Sequence, residues 1–137
     1  MADALVIPGD SNHEYHVRAT VMGFEVDLLV DTGFTHDGCV IGVALDEASY
    51  RGVRSHLRNF VDISLRSLDP ASRFAESGIG VVALVGLEGS EVETRIVDAG
   101  ANLLGVCYFH HLPEFNIRWD LANRTMSIGS LETHSLS

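Results

Sequence analysis

Basic residues are scarce in this chain of 137 residues. Nine lysines and arginines stand against 19 aspartates and glutamates, which gives a formal net charge of −10 at pH 7. A chain this acidic repels phosphate groups. We therefore expect it to bind neither nucleic acid nor an anionic membrane surface.

Cysteines are equally few, since the chain has only Cys39 and Cys107. Two cysteines do not make a disulfide scaffold in a chain of this size, and their spacing is not that of a zinc site. The simplest interpretation is two small buried apolar residues, and a single bridge between them stays open. With the seven histidines scattered along the chain, no metal is expected. A small β-domain held by that one bridge is a further alternative.

Long hydrophobic runs are also absent. No apolar stretch approaches the roughly 20 residues that span a bilayer, and the first residues lack the basic start of a secretory signal. These absences predict a soluble, cytoplasmic protein. Apolar residues nevertheless make up 46% of the chain, which is enough for the core of one domain.

Alternating hydrophobicity predicts mostly strands. The segments 15–22, 24–30, 59–68, 92–97 and 115–119 alternate apolar and polar residues with period two, and turn-rich residues separate most of them. Residues 44–54 allow one or two helical turns, and 106–109 a short helix. A further strand is predicted over Val81–Leu87, after the pair Gly78 and Gly80. The pattern is typical of an all-β, barrel-like domain.

Asp31 is the strongest candidate for a catalytic residue. The apolar strand Phe24–Val30 leads directly into the turn Asp31-Thr32-Gly33. A carboxylate at the end of a buried strand costs free energy unless hydrogen bonds or a shared proton compensate it. Gly33 allows the backbone to approach the carboxylate, and the Thr32 hydroxyl can both donate and accept a hydrogen bond.

These residues resemble the retropepsin-like (retroviral-type) aspartic proteases, and the pair Phe34-Thr35 is closer to the bacterial members. The family's apolar-apolar-Gly signature before a short helix matches Asn102-Leu103-Leu104-Gly105. The strand, Asp turn and closing strand that follow the helix match 115–119, Asp120 and 126–128. The resemblance covers residues 15–129, with 1–14 as an N-terminal leader or strand and 130–137 as a polar tail.

The resemblance implies a single-domain closed β-barrel with a flap hairpin and one short C-terminal helix. The flap corresponds to Val61–Val85, with its tip between Leu68 and Gly80. His36 stands where many bacterial relatives have glycine, and the flap is less glycine-rich than in viral enzymes. Flap contacts are therefore the part that the resemblance predicts least well.

The implied function is that of an aspartic endopeptidase, which needs two carboxylates sharing a proton. The chain has one Asp-Thr-Gly, so a homodimer must supply the second Asp31. Thr32 and Gly33 would shape the turn, and Phe34, Thr35, Leu104 and Gly105 would line the substrate cleft. The partners would be a second copy and a peptide or protein, with bulky apolar side chains beside the scissile bond. No cofactor is required.

Two alternatives stay open at this stage. A non-catalytic peptide-binding or dimerisation module could keep the same fold, although an intact Asp31 turn argues against it. The segment Asp98-Ala99-Gly100 could be a degenerate second copy of the motif, but it lacks the threonine. A surface turn in which Asp98 caps the backbone is the simpler interpretation.

Overall fold

A closed barrel of six strands forms the body of the protein in this computed structural model, which describes residues 4–34, 38–65, 73–112 and 114–130. The strands follow the order β2-β3-β8-β4-β7-β6, and β6 pairs again with β2. The strands are β1 (Ala4–Pro8), β2 (His16–Val21), β3 (Phe24–Asp31), β4 (Ile41–Leu45), β5 (Arg58–Leu65), β6 (Arg73–Leu84), β7 (Val92–Asp98), β8 (Leu103–Gly105), β9 (Phe115–Asp120) and β10 (Thr125–Ser130). The all-β closed barrel predicted from the sequence is confirmed.

Two short helices interrupt the strands. Helix α1 (Glu47–Val53) follows β4 and continues into a 3₁₀ turn, Arg54–His56. Asp46 caps α1, because its carboxylate accepts a 2.8 Å hydrogen bond from the Ser49 amide. This bond lowers the pKa of Asp46. Helix α2 (Val106–His110) follows β8 directly. Neither helix, nor any other helical segment among the described residues, is long and apolar enough to cross a membrane.

A separate three-stranded sheet packs beside the barrel in the order β1-β10-β9. Residues 4–8 of the predicted N-terminal leader belong to this sheet, because β1 pairs antiparallel with β10 of the same chain. Strand β9 pairs with β10 on the other side. In the part of the chain that the structure covers, β9 is therefore an edge strand.

The flap strands β5 and β6 form an antiparallel hairpin. Of its predicted tip, between Leu68 and Gly80, residues 68–72 lie outside the described residues, and residues 73–80 belong to β6. Strand β6 begins at Arg73, so the expectation that a strand starts only at Val81 was wrong. The glycines that suggested a break lie inside the strand. Close packing against Leu57 explains why they are glycines, because a Cβ would stand 2.8 Å from the Leu57 side chain at Gly78 and 2.6 Å from it at Gly80.

Buried apolar side chains form two clusters. The larger one fills the barrel and includes Leu28, Leu104 and Tyr108. The smaller one, which we call the flap cluster, lies between the flap strands and the segment after the Asp31 turn. It contains buried Ile41, Ala44, Ile63, Ala75 and Val97, with half-buried Phe34, Ala99 and Leu103 packed against them.

Candidate active site

Asp31 is the last residue of β3, and hydrogen bonds fix its position. Strand β3 runs parallel to β8, which places Asp31 opposite Gly105. The Gly33 amide donates a 2.9 Å hydrogen bond to Oδ1 of Asp31, and the Phe34 amide donates one of 3.1 Å to its carbonyl oxygen. The half-buried carboxylate is thereby oriented by its own turn.

Thr32 and Gly33 are exposed at the tip of this turn. A Cβ added at Gly33 would stand 3.3 Å from Oδ1 of Asp31, so a side chain there would crowd the carboxylate. The structure thus provides a physical reason for glycine at this position. Because Thr32 and Gly33 are exposed, the turn is accessible for contact with another protein surface.

The two leucines of β8 point to opposite faces, as expected for neighbours in a strand. Leu104, predicted to line the cleft, is fully buried in the larger cluster and also borders a cavity next to Asp31. Leu103 packs into the flap cluster together with Phe34. The sequence interpretation did not single out Leu103, although strand alternation was a signal that could have found it.

Phe34 and Gly105 are in close contact. A Cβ at Gly105 would lie 2.7 Å from Cδ2 of Phe34 and 2.7 Å from its carbonyl oxygen. Because Gly105 is the register partner of Asp31, the Phe34 ring stands next to the Asp31 turn. Thr35, which the sequence interpretation placed at the cleft, and the neighbouring His36 lie outside the described residues.

A cavity of about 210 Å³ opens on the other side of the turn. Its lining is almost entirely apolar and includes Trp119, which is 40% exposed. The lining residues are Val30, Asp31, Thr32, Leu104, Val106, Phe109, Ile117, Trp119 and Met126. The cavity therefore joins the Asp31 turn to β9, the edge strand of the small sheet.

A disulfide bond joins Cys39 to Cys107, which settles the pairing that the sequence left open. Cys39 follows the loop that begins at the Asp31 turn, and Cys107 lies two residues beyond Gly105. Nε2 of His111 stands 2.9 Å from the Cys39 carbonyl oxygen and adds a second contact. The loop from Asp31 to Cys39 is thus attached at its start to β8, through the pairing of Asp31 with Gly105, and at its end to α2, through the disulfide.

The base of the flap is tied to α1 and the 3₁₀ turn by Glu76 of β6. Arg54 donates two hydrogen bonds to this carboxylate, at 2.6 and 3.0 Å, and the buried Tyr50 hydroxyl donates a third at 3.0 Å. The hydrogen bonds from Arg54 lower the pKa of Glu76, with a smaller contribution from Tyr50. Burial, followed by the bond to Glu76, raises the pKa of Tyr50.

Two arginines, one on α1 and one on β5, pair with acidic side chains of the same chain. Arg51 pairs with Glu47, and Arg58 pairs with Glu93. Such exposed pairs contribute little to stability. They are surface contacts of α1 and β5.

No strong metal centre is present among the residues that the structure describes. The group with metal-ligand spacing is Asp10, Glu14 and His16, all exposed. Asp10 already accepts hydrogen bonds from the amides of Asn12 and Glu14, which is the arrangement of a capped turn. Asp98, the alternative acid, ends β7 opposite Leu45 and acts electrostatically on Tyr50.

Comparison with known proteins supports the fold. A retropepsin-like aspartic protease from Rickettsia conorii superposes with a TM-score of 0.65 at 15% identity, covering 93% of this chain and 90% of the other. EIAV protease complexed with the inhibitor HBY-793 gives a TM-score of 0.50 at 15% identity, covering 66% and 79%. No family model and no curated protein matches the sequence.

The chain therefore has the retropepsin-like fold, as the motifs predicted. Of the two similar structures, the bacterial one covers more of the chain. At 15% identity this likeness concerns the fold. The chemistry has to be argued from the Asp31 turn itself.

Proposed function

We propose that this protein is a homodimeric aspartic endopeptidase in which each chain contributes Asp31. The observation that carries the proposal is the placement of Asp31 at the end of β3, opposite Gly105, with its carboxylate held by the Gly33 amide. A retropepsin-like fold with an intact, solvent-open Asp-Thr-Gly turn supports an active enzyme over a binding module.

The proposed chemistry uses the two carboxylates in different protonation states. Two acids a few ångströms apart share one proton. The ionised Asp31 takes a proton from water as its oxygen attacks the peptide carbonyl carbon, while the protonated Asp31 donates a hydrogen bond to the carbonyl oxygen. Collapse of the tetrahedral intermediate breaks the C–N bond, and a proton passes to the leaving nitrogen. The products are a carboxylic acid and an amine.

The second copy would dock where the turn meets the edge strand β9. Thr32 and Gly33 are exposed there, and the apolar cavity extends from Asp31 to Trp119 and Ile117. An exposed apolar surface bordered by an edge strand favours association. A twofold axis near Thr32 would bring the two Asp31 turns together, with Thr32 bonding across the interface.

The proposal is tested by digesting a diverse peptide library at several pH values between about 3 and 7, with the wild type and Asp31→Asn. The wild type should cleave, and the variant should lose at least about 10³-fold in rate because it lacks an ionisable carboxyl at the reacting centre. Sedimentation measured in parallel shows whether the protein is dimeric.

Circular dichroism of Asp31→Asn is the control for folding. If a dimeric wild type cleaves no peptide, the enzyme hypothesis is wrong. In that case retained peptide binding in both proteins would identify the binding module. Equal cleavage by both proteins would mean that another residue does the chemistry.

A further inference from the structure

We propose that Phe34 fills one substrate subsite, so that the enzyme selects small side chains at one position on each side of the scissile bond. This inference rests on the proposed function and specifies its substrate class. It departs from the expectation of bulky apolar side chains beside the scissile bond.

The backbone of Phe34 is fixed relative to Asp31. Its amide donates a 3.1 Å hydrogen bond to the Asp31 carbonyl oxygen. The ring then lies over Gly105, with Cδ2 only 2.7 Å from the place where a Cβ would be. Phe34 therefore stands within one residue's width of the catalytic turn, on the side opposite the apolar cavity lined by Trp119.

The ring occupies the space between the turn and the flap. It belongs to the flap cluster, whose buried members include Ile63 of β5 and Ala75 of β6, one from each flap strand. A substrate held in extended form under a flap hairpin projects alternate side chains towards the cleft walls. The wall formed by the flap cluster already contains an aromatic ring, so little volume is left for a substrate side chain.

Moving the ring aside is unfavourable for two reasons. Phe34 is half-buried, so displacement would expose apolar area that is now covered. The neighbouring cluster residues Ile41 and Val97 are almost fully buried and leave no free space for the ring to enter. The restriction is therefore a property of the folded chain before substrate binds.

Symmetry makes the prediction specific. In a twofold dimer each chain contributes one Phe34, and the two rings stand at equivalent distances on opposite sides of the Asp31 pair. Glycine, alanine or serine should be selected at two positions related by that axis. A single restrictive position on one side only would not agree with this geometry.

The test compares cleavage profiles of the wild type, Phe34→Ala and Phe34→Leu on one peptide library. The wild type should favour glycine, alanine and serine over leucine and phenylalanine at the two symmetric positions. Phe34→Ala should shift that ratio at least about tenfold towards large side chains, since a few methylenes in a pocket change specificity by about 10–200-fold. Phe34→Leu should give an intermediate profile and keeps the proposal testable if Phe34→Ala fails to fold.

Phe24→Ala is the matched control, because Phe24 is an exposed phenylalanine on β3 and lies outside the flap cluster. Its profile should equal that of the wild type. An unchanged profile in folded Phe34→Ala, or a wild type that accepts leucine and phenylalanine everywhere, would overturn the inference.

A binding measurement separates this inference from the proposed function. Peptides that differ only at the two positions are titrated against Asp31→Asn protein with and without Phe34→Ala, and fluorescence anisotropy reports affinity. Tighter binding of large side chains only after Phe34→Ala supports the subsite even if no cleavage is seen. If the two proteins bind peptides with large side chains equally well, Phe34 does not fill a subsite, whatever the catalytic result.

Discussion

Gly105 is a position where a single added carbon atom would disturb the Asp31 turn. A Cβ there would stand 2.7 Å from both the ring and the carbonyl oxygen of Phe34. The ring is held by the flap cluster, and the carbonyl belongs to the backbone of the Asp31 turn. Overpacking of this kind costs about 1–3 kcal/mol.

We therefore expect Gly105→Ala to lower peptidase activity at least about tenfold, because misplaced catalytic groups lose rate steeply, and to lower the melting temperature. Phe34→Ala in the same chain should restore stability only in part, since the backbone contact remains. Gly52→Ala is the control, because nothing lies within 4 Å of a Cβ there. It should leave activity unchanged and stabilise α1 slightly. A fully active Gly105→Ala enzyme would contradict the role given to this contact.

At the level of elements, the disulfide connects the loop after the Asp31 turn to α2 across a sequence separation of 68 residues. Replacing both cysteines with alanine should destabilise the protein by about 2–4 kcal/mol, because the cross-link restricts the unfolded chain. Urea unfolding with and without reductant measures this cost. Reductant should not change the free energy of unfolding of the double variant. If it does not change that of the wild type either, the prediction is contradicted.

The contact between Glu76 and Arg54 makes the attachment of the flap depend on pH. The folded protein lowers the pKa of Glu76 below its usual value of 4.5. Its contribution to stability is therefore fully present above pH 4.5 and is lost as the pH falls through the lowered folded pKa. Because both side chains are partly exposed, with Arg54 at 52%, we expect only about 0.5–1 kcal/mol.

Glu76→Gln should thus destabilise the protein at pH 7, and the difference from the wild type should shrink as the solution is acidified towards pH 2. Urea unfolding curves at several pH values provide the measurement. Glu93→Gln serves as the control, since Glu93 pairs with Arg58 on the neighbouring surface. A constant difference between wild type and Glu76→Gln at all pH values would mean that the ion pair contributes nothing.

For the whole molecule, the proposed docking surface at β9 makes activity depend on concentration. Trp119→Asp would place a charge in an apolar interface and should weaken dimerisation at least about 100-fold. Val6→Asp is the control, because Val6 is also exposed, at 60% against 40% for Trp119, but lies on β1, at the opposite edge of the small sheet. Analytical ultracentrifugation measures both variants. If both dimerise like the wild type, the second copy binds elsewhere.

The features of this fold that depend on consecutive residues were predicted from the sequence, whereas those that depend on long-range contacts were not. The Asp31 turn and most strands follow from consecutive residues, so the sequence located them to within a few positions. The start of β6 was missed because Gly78 and Gly80 look like a break, whereas close packing by Leu57 requires glycine there. The Cys39–Cys107 bond and the position of the Phe34 ring depend on tertiary contacts that no local pattern contains.

The disulfide also bears on where the protein works. Such bonds persist mainly in oxidising compartments, whereas the sequence interpretation predicted a cytoplasmic protein. That location stays a prediction. Trapping free thiols with an alkylating agent at the moment of cell lysis would show whether Cys39 and Cys107 are bonded in place.

The same bond has a consequence for the survival of damaged molecules. The flap strands lie between Cys39 and Cys107 along the chain. A copy cut by another protease anywhere in that interval keeps its two fragments covalently linked, and the barrel pairings of β3 with β8 can hold them in register. Such a nicked molecule would run as one band on a non-reducing gel and as two after reduction.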